Sequence, residues 1–241
     1  MPTTWYEAVV REIIPETPQV RRFRLAIPAL EVFHFQAGQF ITFDLPVGEK
    51  RLQRWRSYSI ASPPDGSNVL ELCIVRSPSG LGTRYFFEEV QVGTTLKFKG
   101  PEGTFVLPET LDHDVVMICT GTGIAPFRSM IADLHRRHWP CQCVHLIFGT
   151  RTENDILYRT ELETLARQQP KFRYDVALSR QNDWHGHKGH VHPIYLNAYP
   201  QPLPSLQFYL CGWTNMIDQA VAHLFNDLHC RREQIHYELY G

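Results

Sequence analysis

The sequence Arg56-Ser57-Tyr58-Ser59-Ile60-Ala61-Ser62 alternates small or apolar residues with polar ones and ends at Pro63-Pro64-Asp65-Gly66. This pattern predicts a β-strand that stops at a turn. Arg56 carries five donors in a fixed fork that suits a phosphate, and the ring of Tyr58 can lie against a planar ligand. The serines could bond the edge of a heterocycle. Taken alone, the segment is equally consistent with an edge strand whose polar side chains face water.

Short strand-like runs recur through the first hundred residues and are separated by proline and glycine turns. This spacing predicts an all-β domain, an antiparallel barrel of the Greek-key type. Only one stretch of this domain, Thr83–Val90, has a helical pattern. The predicted strands are Tyr6–Ile13, Val20–Ile27, Gln39–Leu45, Arg56–Ala61, Val69–Val75 and Thr94–Lys99.

The pattern changes after Phe105 and Pro108, where strand-like runs begin to alternate with helical ones. The run Val115–Cys119 is almost wholly apolar, as expected of a strand covered on both faces. Such alternation predicts a doubly wound parallel sheet that binds ligands at the carboxyl ends of its strands. We expect a barrel domain over 1–108 and an α/β domain over 109–241. The other predicted elements are helices Pro126–His138, Leu157–Gln168 and Asn215–Leu228 and strands Cys143–Phe148, Phe172–Leu178, Gln207–Leu210 and Gln234–Leu239.

The composition is that of an ordinary soluble protein: hydrophobic residues make up 43%, charged residues 20%, and the net charge is −1. No basic or acidic half favours nucleic acid, and no apolar run approaches the length of a membrane span. The N-terminal residues lack the parts of a signal peptide, so we expect a cytoplasmic protein. The six cysteines lie mostly in apolar runs, which predicts reduced, buried thiols rather than a metal site.

Two turns that contain glycine stand at the start of predicted helices. Gly80-Leu81-Gly82-Thr83 could bring backbone N–H groups to an anion and, with Arg56, form a two-sided clamp on a pyrophosphate. Alone, this turn is better explained as a capped helix after a flexible loop. The second turn, Cys119-Thr120-Gly121-Thr122-Gly123-Ile124-Ala125-Pro126-Phe127, leads from an apolar strand into a helix that begins at or near its proline. Its glycines allow close approach of the backbone to a dinucleotide pyrophosphate.

Two further segments lie at strand ends in the second half. Cys211-Gly212 closes the apolar strand before the last helix, where a cysteine would face the ligand crevice of a parallel sheet. A buried cysteine is also an ordinary small core residue. The terminal Tyr237-Glu238-Leu239-Tyr240-Gly241 is either edge packing or a way to bring a carboxylate and a phenol to an active site.

Taken together, these segments resemble the ferredoxin–NADP reductase superfamily over essentially the whole chain. The resemblance implies a barrel that binds FAD, with FMN as the less favoured flavin, followed by an NAD(P)-binding domain. The motifs occur in the order and approximate spacing of that family, and they are Arg56-x-Tyr58-Ser59, Gly80-x-x-Thr83, Gly121-Thr122-Gly123-x-x-Pro126, Cys211-Gly212 and Glu238-x-Tyr240.

The resemblance also implies roles for individual residues. Arg56 and Thr83 would hold the flavin phosphates beside Gly80 and Gly82, and Tyr58 and Ser59 would line the isoalloxazine. The remaining FAD contacts would come from the backbone of Cys73, Ile74 and Val75. The coenzyme phosphates would lie at Thr120, Gly121, Thr122, Gly123 and Pro126.

Around the nicotinamide, the resemblance implies that Cys211 and Gly212 lie beside the ring, with Ser59, Cys211 and Glu238 forming the catalytic set. Tyr240 would cover the flavin, although Gly241 follows it where family members of the plant type end in the aromatic residue. Ser179-Arg180 would hold the 2′-phosphate of NADPH, assisted by Lys188, which favours NADPH over NADH.

The implied activity is that of an FAD-dependent NAD(P)H oxidoreductase. Such an enzyme passes single electrons to a separate ferredoxin, flavodoxin or iron–sulfur oxygenase component. No Cys-x4-Cys-x2-Cys run is present for a fused iron–sulfur centre. We expect a monomer. A reductase of free flavin or quinone and a non-catalytic flavin-binding redox sensor remain as alternatives.

Two segments suggest other ligands. Trp184-His185-Gly186-His187-Lys188-Gly189-His190-Val191-His192 holds four histidines, but its glycines predict a solvated loop near the coenzyme rather than a metal site. The cluster Lys50-Arg51-Leu52-Gln53-Arg54-Trp55-Arg56 is basic and aromatic. Because the net charge of the chain is close to zero, we interpret this cluster as a surface that attracts an acidic electron-transfer protein rather than as a nucleic-acid-binding patch.

Overall fold

A computed structural model of the chain describes residues 4–111, 113–141, 143–201 and 204–240. It divides into two compact units, Met1–Leu107 with Ala125–Asp133, and Pro108–Ile124 with Leu134–Gly241. The strands are β1 (Trp5–Thr17), β2 (Val20–Ala26), β3 (Phe40–Asp44), β4 (Trp55–Ser59), β5 (Val69–Val75), β6 (Thr95–Glu102), β7 (Val115–Thr120), β8 (Val144–Thr150), β9 (Phe172–Leu178), β10 (His187–Lys188), β11 (Gln207–Trp213) and β12 (Ile235–Tyr240). The α-helices are α1 (Arg51–Arg54), α2 (Leu81–Glu88), α3 (Ile124–Arg136), α4 (Arg159–Gln168), α5 (His192–Ala198) and α6 (Thr214–Asn226).

The first unit is a six-stranded antiparallel sheet in the order β4-β3-β6-β1-β2-β5. Its two end strands meet at a bridge between Ile60 and Leu72, so the sheet closes into a barrel. The pairing of β3 with β6 skips the strands between them in sequence, as in a Greek key. The interior is filled by fully buried aromatic side chains, among them Phe23, Phe43 and Phe98. The predicted class of the first domain is confirmed.

Two elements of the first unit differ from their predicted bounds. β1 continues through Pro15 to Thr17, although a proline was expected to end it. Beyond Val9, β1 pairs only with β2, so a residue without an N–H is tolerated there. The short helix α1 was not predicted, and it lies in the basic segment before β4. Its first turn is stabilised by the Gln53 side chain, which accepts from the backbone N–H groups of Glu49 and Lys50.

The second unit is a six-stranded sheet in the order β10-β9-β8-β7-β11-β12, and its paired strands are parallel. This arrangement confirms the predicted doubly wound class. One face of the sheet packs against α5 and α6 through buried side chains that include Tyr195, Phe208, Leu210, Ile217 and Leu224. Because the strands are parallel, the segments that follow β7, β8, β9 and β11 all begin at the carboxyl ends of the strands, on the same side of the sheet.

Helix α3 begins near Pro126, as predicted: it begins at Ile124, because the glycine turn before it already forms a 3-10 turn that runs into the helix. Pro126 therefore lies within the first turn, where its missing N–H is tolerated. The histidine-rich segment is not a loop throughout, because His187–Lys188 forms β10 and His192 begins α5. His192 is only 8% exposed, since it packs against Tyr195 and His223.

The six cysteines carry free thiols, and all but Cys143 are buried. In the ranges that the structure describes, no group of His, Cys, Asp and Glu side chains is arranged to hold a metal ion. Among the helices of these ranges, none has both the length and the apolar character needed to cross a membrane.

Candidate functional site

Arg56 presents a guanidinium without an acidic partner in the first unit. Its side chain packs so closely on Gly82 of α2 that a Cβ atom there would lie 2.8 Å from Arg56 Cγ. Its Nη1 donates to the carbonyls of Leu52 at 2.6 Å and Trp55 at 2.7 Å, which fixes the group beside α1 and α2. Within the described ranges, no carboxylate forms an ion pair with it. A cation held near the N-terminus of a helix suits a phosphate, so this corner of the barrel fits the phosphates of FAD.

The turn before α2 is held by its own threonine. Thr83 Oγ1 accepts from the backbone N–H of Ser77 at 3.1 Å, and Gly80 O lies 3.2 Å from the same hydroxyl. A Cβ atom on Gly80 would lie 2.7 Å from Thr83 Oγ1, so glycine is needed for this packing. The hydroxyl thus shapes the loop, and the backbone N–H groups of the first turn are the natural donors to an anion. A direct contact of Thr83 with a flavin phosphate stays a prediction.

The other residues predicted to bind the flavin lie on β4 and β5. The Tyr58 ring packs against Phe43 and Phe86, with centroid distances of 6.0 and 5.3 Å. Burial raises its pKa, so the phenol stays protonated at neutral pH. Ser59 is buried at the end of β4. The backbone of Cys73–Val75 continues beyond the bridge that closes the barrel. Their contacts with FAD stay predictions.

Sequence reasoning missed a polar cluster that holds the chain just after β4. Arg128 Nη1 donates to the Ala61 carbonyl at 2.9 Å and to Glu71 Oε1 at 3.1 Å. Ser129 Oγ donates to the Ser62 carbonyl at 2.7 Å. These bonds fix the segment that follows Tyr58 and Ser59. Arg128 and Ser129 look like ordinary helix residues in the sequence, so only the folded chain reveals the cluster.

In the second unit, the predicted glycine turn lies at the carboxyl end of β7. Gly121 has a φ of +53°, a conformation that favours glycine. Gly123 is packed so tightly on β11 that a Cβ atom would lie 2.4 Å from the Cys211 carbonyl oxygen. Gly212 has a φ of +139°, and a Cβ atom there would meet Thr120 Oγ1 at 2.4 Å. The glycines therefore let the turn after β7 pack directly on the end of β11. The contact of this turn with a dinucleotide stays a prediction.

The structure also brings Cys211, Glu238 and Tyr240 together. Cys211 is in register with Glu238 on β12 and with Cys119 on β7. Since side chains alternate along a strand, Cys211, Glu238 and Tyr240 lie on one face of the sheet. Burial, together with the nearby Glu238 and Cys119, raises the pKa of the Cys211 thiol well above its ordinary value, and a hydrogen bond with Tyr240 only partly offsets this. Cys211 is therefore a neutral, fully buried thiol and not an activated nucleophile, and its contact with a nicotinamide stays a prediction.

The predicted 2′-phosphate residues follow β9. The backbone N–H of Ser179 donates to the Thr150 carbonyl at 3.0 Å, and that of Arg180 donates to the Arg151 carbonyl at 2.8 Å. The side chains of Ser179 and Arg180 are exposed. β10 pairs with the end of β9 so that Lys188 is in register with Leu178, next to Ser179. Neither Arg180 nor Lys188 forms an ion pair within the described ranges, so both cations are available to an anion.

Sequence reasoning also missed one residue at the carboxyl ends of the parallel strands. Trp213 ends β11, is 64% exposed and lies beside Gly121. The available signal was a large aromatic residue directly after the Cys-Gly motif. Gly241, which the sequence raised as a departure from the family pattern, lies outside the described residues. Whether Tyr240 covers a flavin stays a prediction.

Comparisons with known proteins agree with both halves of the chain. Residues 7–107 match the oxidoreductase FAD-binding domain family, and residues 117–222 match the oxidoreductase NAD-binding domain family. Ferredoxin–NADP reductase B of Sorangium cellulosum (strain So ce56) is 34% identical over 98% of this chain and 97% of its own length. The phenol hydroxylase P5 protein of Acinetobacter pittii (strain PHEA-2) is 30% identical over 94% of this chain, which spans 65% of that protein's length.

Solved structures give the same answer. A ferredoxin NADP+ reductase from Neisseria gonorrhoeae with bound FAD and NADP superposes with a TM-score of 0.82 at 25% identity, and 99% of each chain is covered. A cytochrome P450 reductase from Amycolatopsis gives a TM-score of 0.88 at 27% identity and covers 99% of this chain and 70% of its own. The fold, the two domain families and the relative matched over nearly its full length show that the chain belongs to the ferredoxin–NADP reductase superfamily of FAD- and NAD(P)-dependent oxidoreductases.

Proposed function

We propose that the protein takes a hydride from NADPH onto FAD and passes the electrons singly to a separate protein acceptor. The acceptor would be a ferredoxin, a flavodoxin or an iron–sulfur oxygenase component. The bound flavin supplies the exchange between two-electron and one-electron transfer. The free thiols fit a reducing compartment such as the cytoplasm.

The observation that carries the proposal is the set of Cys211, Glu238 and Tyr240 on one sheet face beside the glycine turn. The carboxylate and the phenol, next to a buried neutral thiol, would give polar contacts for a nicotinamide without a nucleophile that would attack it. The chain's residues would then bind and orient the ring and exclude water from it, while the hydride moves between the two cofactors.

The charges after β9 support NADPH over NADH. Arg180 and Lys188 carry no ion pair within the described ranges, and the Ser179 hydroxyl stands next to them at the end of β9. A guanidinium, an ammonium and a hydroxyl suit a 2′-phosphate. An enzyme that prefers NADH often has a carboxylate there, which accepts from the ribose hydroxyls.

A surface on the barrel supports an acidic acceptor. Trp5, Arg51, Trp55, Lys97 and Lys99 form a cation–tryptophan surface: Arg51 and Lys99 lie 4.7 and 4.8 Å from the Trp55 ring, and Lys97 lies 5.1 Å from the Trp5 ring. The two indoles meet edge to face at 5.5 Å. Arg51 and Lys97 have no acidic partner within the described ranges. Lys99 is partly buried and pairs with Glu102, so Arg51 and Lys97 are the exposed cations that would attract an acidic protein to the rings.

The decisive experiment is stopped-flow spectroscopy without oxygen. FAD-loaded protein is mixed with NADPH or NADH, and the reduced protein is then mixed with a ferredoxin or with free FMN and a quinone. We expect bleaching of the flavin by NADPH and rapid reduction of the ferredoxin. The ferredoxin rate should fall with added salt, since opposite charges steer the encounter. Efficient turnover with free FMN or quinone alone would favour a flavin or quinone reductase, and a flavin that neither coenzyme bleaches would favour a sensor.

A further inference from the structure

Trp213 is a large side chain at the carboxyl end of β11 with 64% of its surface exposed. A single exposed aromatic residue is common on protein surfaces and needs no functional explanation. The surroundings of Trp213 set it apart. Strand pairing places it in register with Tyr240, two residues after Cys211. It therefore stands beside the residues expected to surround the nicotinamide.

The indole of Trp213 lies next to the glycine turn. Its Nε1 is 3.8 Å from the position that a Cβ atom would take on Gly121, and its backbone N–H donates to Thr120 Oγ1 at 3.3 Å. No hydrogen bond of the indole N–H is found within the ranges that the structure describes. A tryptophan ring offers one donor and no acceptor. This donor is thus available to an oxygen atom that arrives at the turn.

We propose that Trp213 is a coenzyme-binding residue. Its indole N–H donates to the pyrophosphate of a nicotinamide dinucleotide held at Gly121–Gly123, and its ring shields that group from water. The inference rests on the proposed function, because it takes the coenzyme site at this turn as given. A hydrogen bond to a charged oxygen is stronger than one between neutral groups, and it gains further where water is excluded. Binding would also cover apolar ring surface that is exposed in the free protein.

Two substitutions of Trp213 separate the effect of the indole N–H on coenzyme binding from the effect of the aromatic ring. Trp213→Phe keeps an aromatic ring and removes the N–H, whereas Trp213→Ala removes both. The FAD-loaded variants are titrated by calorimetry with NADP+, with NAD+ and with adenosine 2′-phosphate, which has no pyrophosphate. We expect Trp213→Phe to weaken NADP+ and NAD+ binding about tenfold or more, because a hydrogen bond to a charged group is lost. Trp213→Ala should weaken both further and leave the affinity for adenosine 2′-phosphate unchanged.

Tyr237→Phe is the matched control. Tyr237 is also exposed, and its substitution by Phe removes a single hydrogen-bond donor. Because side chains alternate along a strand, Tyr237 lies on the face of β12 opposite to Glu238 and Tyr240. This variant should bind both coenzymes like the wild type. The flavin reduction rate at saturating coenzyme should change little in Trp213→Phe, since the loss lies in binding.

Several outcomes would overturn the proposal. Unchanged affinity for NADP+ and NAD+ in both Trp213 variants would overturn it. An equal loss of affinity for adenosine 2′-phosphate would also overturn it, because the effect would then not act at the pyrophosphate. Unchanged coenzyme affinity with slower reduction of ferredoxin would assign Trp213 to the acceptor instead. A wild-type flavin that neither NADPH nor NADH bleaches would contradict the proposed function. Calorimetry with the oxidised coenzymes would still test Trp213 in that case.

Discussion

Arg56 is the side chain on which FAD binding should depend most, because its guanidinium lacks an acidic partner within the described ranges and lies against the N-terminal turn of α2. Loss of a charge-assisted phosphate contact costs about 1.5–3 kcal/mol, so Arg56→Ala should weaken FAD binding about tenfold or more. Released flavin after dilution and ultrafiltration measures the effect. Arg54→Ala is the control, since Arg54 already pairs with Asp44 at 2.6 Å and should keep its FAD. Equal retention of FAD by both variants would contradict the assignment.

Arg180 is the residue expected to set coenzyme preference. Arg180→Ala removes a charge-assisted contact with the 2′-phosphate, so the preference for NADPH over NADH in kcat/KM should fall about tenfold or more. Arg151→Ala is a suitable comparison, because Arg151 follows the neighbouring strand and is already paired with Asp155 at 3.1 Å. Steady-state kinetics with both coenzymes provide the measurement. A ratio that does not change in Arg180→Ala would remove this residue from the site.

Cys211 and Glu238 should act on the chemical step more than on coenzyme binding. Cys211→Ala and Glu238→Gln remove groups next to the expected position of the nicotinamide, and a loss of about 1.4 kcal/mol in the transition state slows the step about tenfold. Because the pKa of the thiol is raised, the wild-type rate should show no ionisation of Cys211 near neutral pH. Single-turnover reduction at several coenzyme concentrations separates the rate from the affinity. A pure change in affinity would place both residues outside the reacting centre.

At the scale of elements, α5 and α6 are joined by a histidine–tyrosine cluster that should make the fold sensitive to acid. His192 Nδ1 lies 3.0 Å from Tyr195 Oη, which lies 2.8 Å from His223 Nδ1. Burial, with the nearby His223 and His190, lowers the pKa of His192 from 6.5 to about 4, and a bond with Gln219 offsets this in part. The unfolded chain therefore takes up a proton at this residue at higher pH than the folded chain. Its contribution to stability is complete above pH 6.5 and is lost as the pH falls towards 4.

Substitution of His192 tests this dependence. His192→Asn should be less stable than the wild type at pH 8 but should lose less stability between about pH 6.5 and pH 4, since it has no group to protonate. Urea unfolding at several pH values gives the difference between the two proteins, which cancels the titration of other groups. His185→Gln is the control, because His185 is exposed and, unlike His190, is not among the groups that lower the pKa of His192. Parallel pH curves for wild type and His192→Asn would refute the idea.

At the scale of the whole molecule, each unit has its own buried core, so each ligand should stabilise the unit that binds it. FAD at a hundred times its Kd should add about 2.7 kcal/mol to the barrel unit, and NADP+ at the same excess should add as much to the second unit. Tryptophan emission can assign the transitions, since Trp5 and Trp55 lie in the first unit and Trp139, Trp184 and Trp213 in the second. Stabilisation of the second unit by FAD alone would contradict the assignment of the flavin to the barrel.

The sequence by itself determined the class of both domains and most of their elements. The run Val115–Cys119 and the alternating strands before residue 105 carry their periodicity locally, and proline and glycine mark where they stop. The candidate site was also predictable as far as it consists of short motifs, because Arg56, Gly121 and Cys211 each stand at a boundary that the local pattern predicts. These features depend on neighbours in the chain, so they can be found without the fold.

Only the tertiary structure decided the features that depend on residues far apart in sequence. His192 begins a helix and is buried because His223 and Tyr195 pack against it. The tight fit of Gly123 exists because β11 pairs with β7. The hydrogen bonds of Arg128 join helix α3 to strand β5 through Glu71, and to the segment after β4 through Ala61. Trp213 became a candidate for the same reason, since its place beside Gly121 is created by strand pairing. Contacts of this kind leave no periodic signal in the chain, because their energy comes from packing that forms only when the distant segments meet.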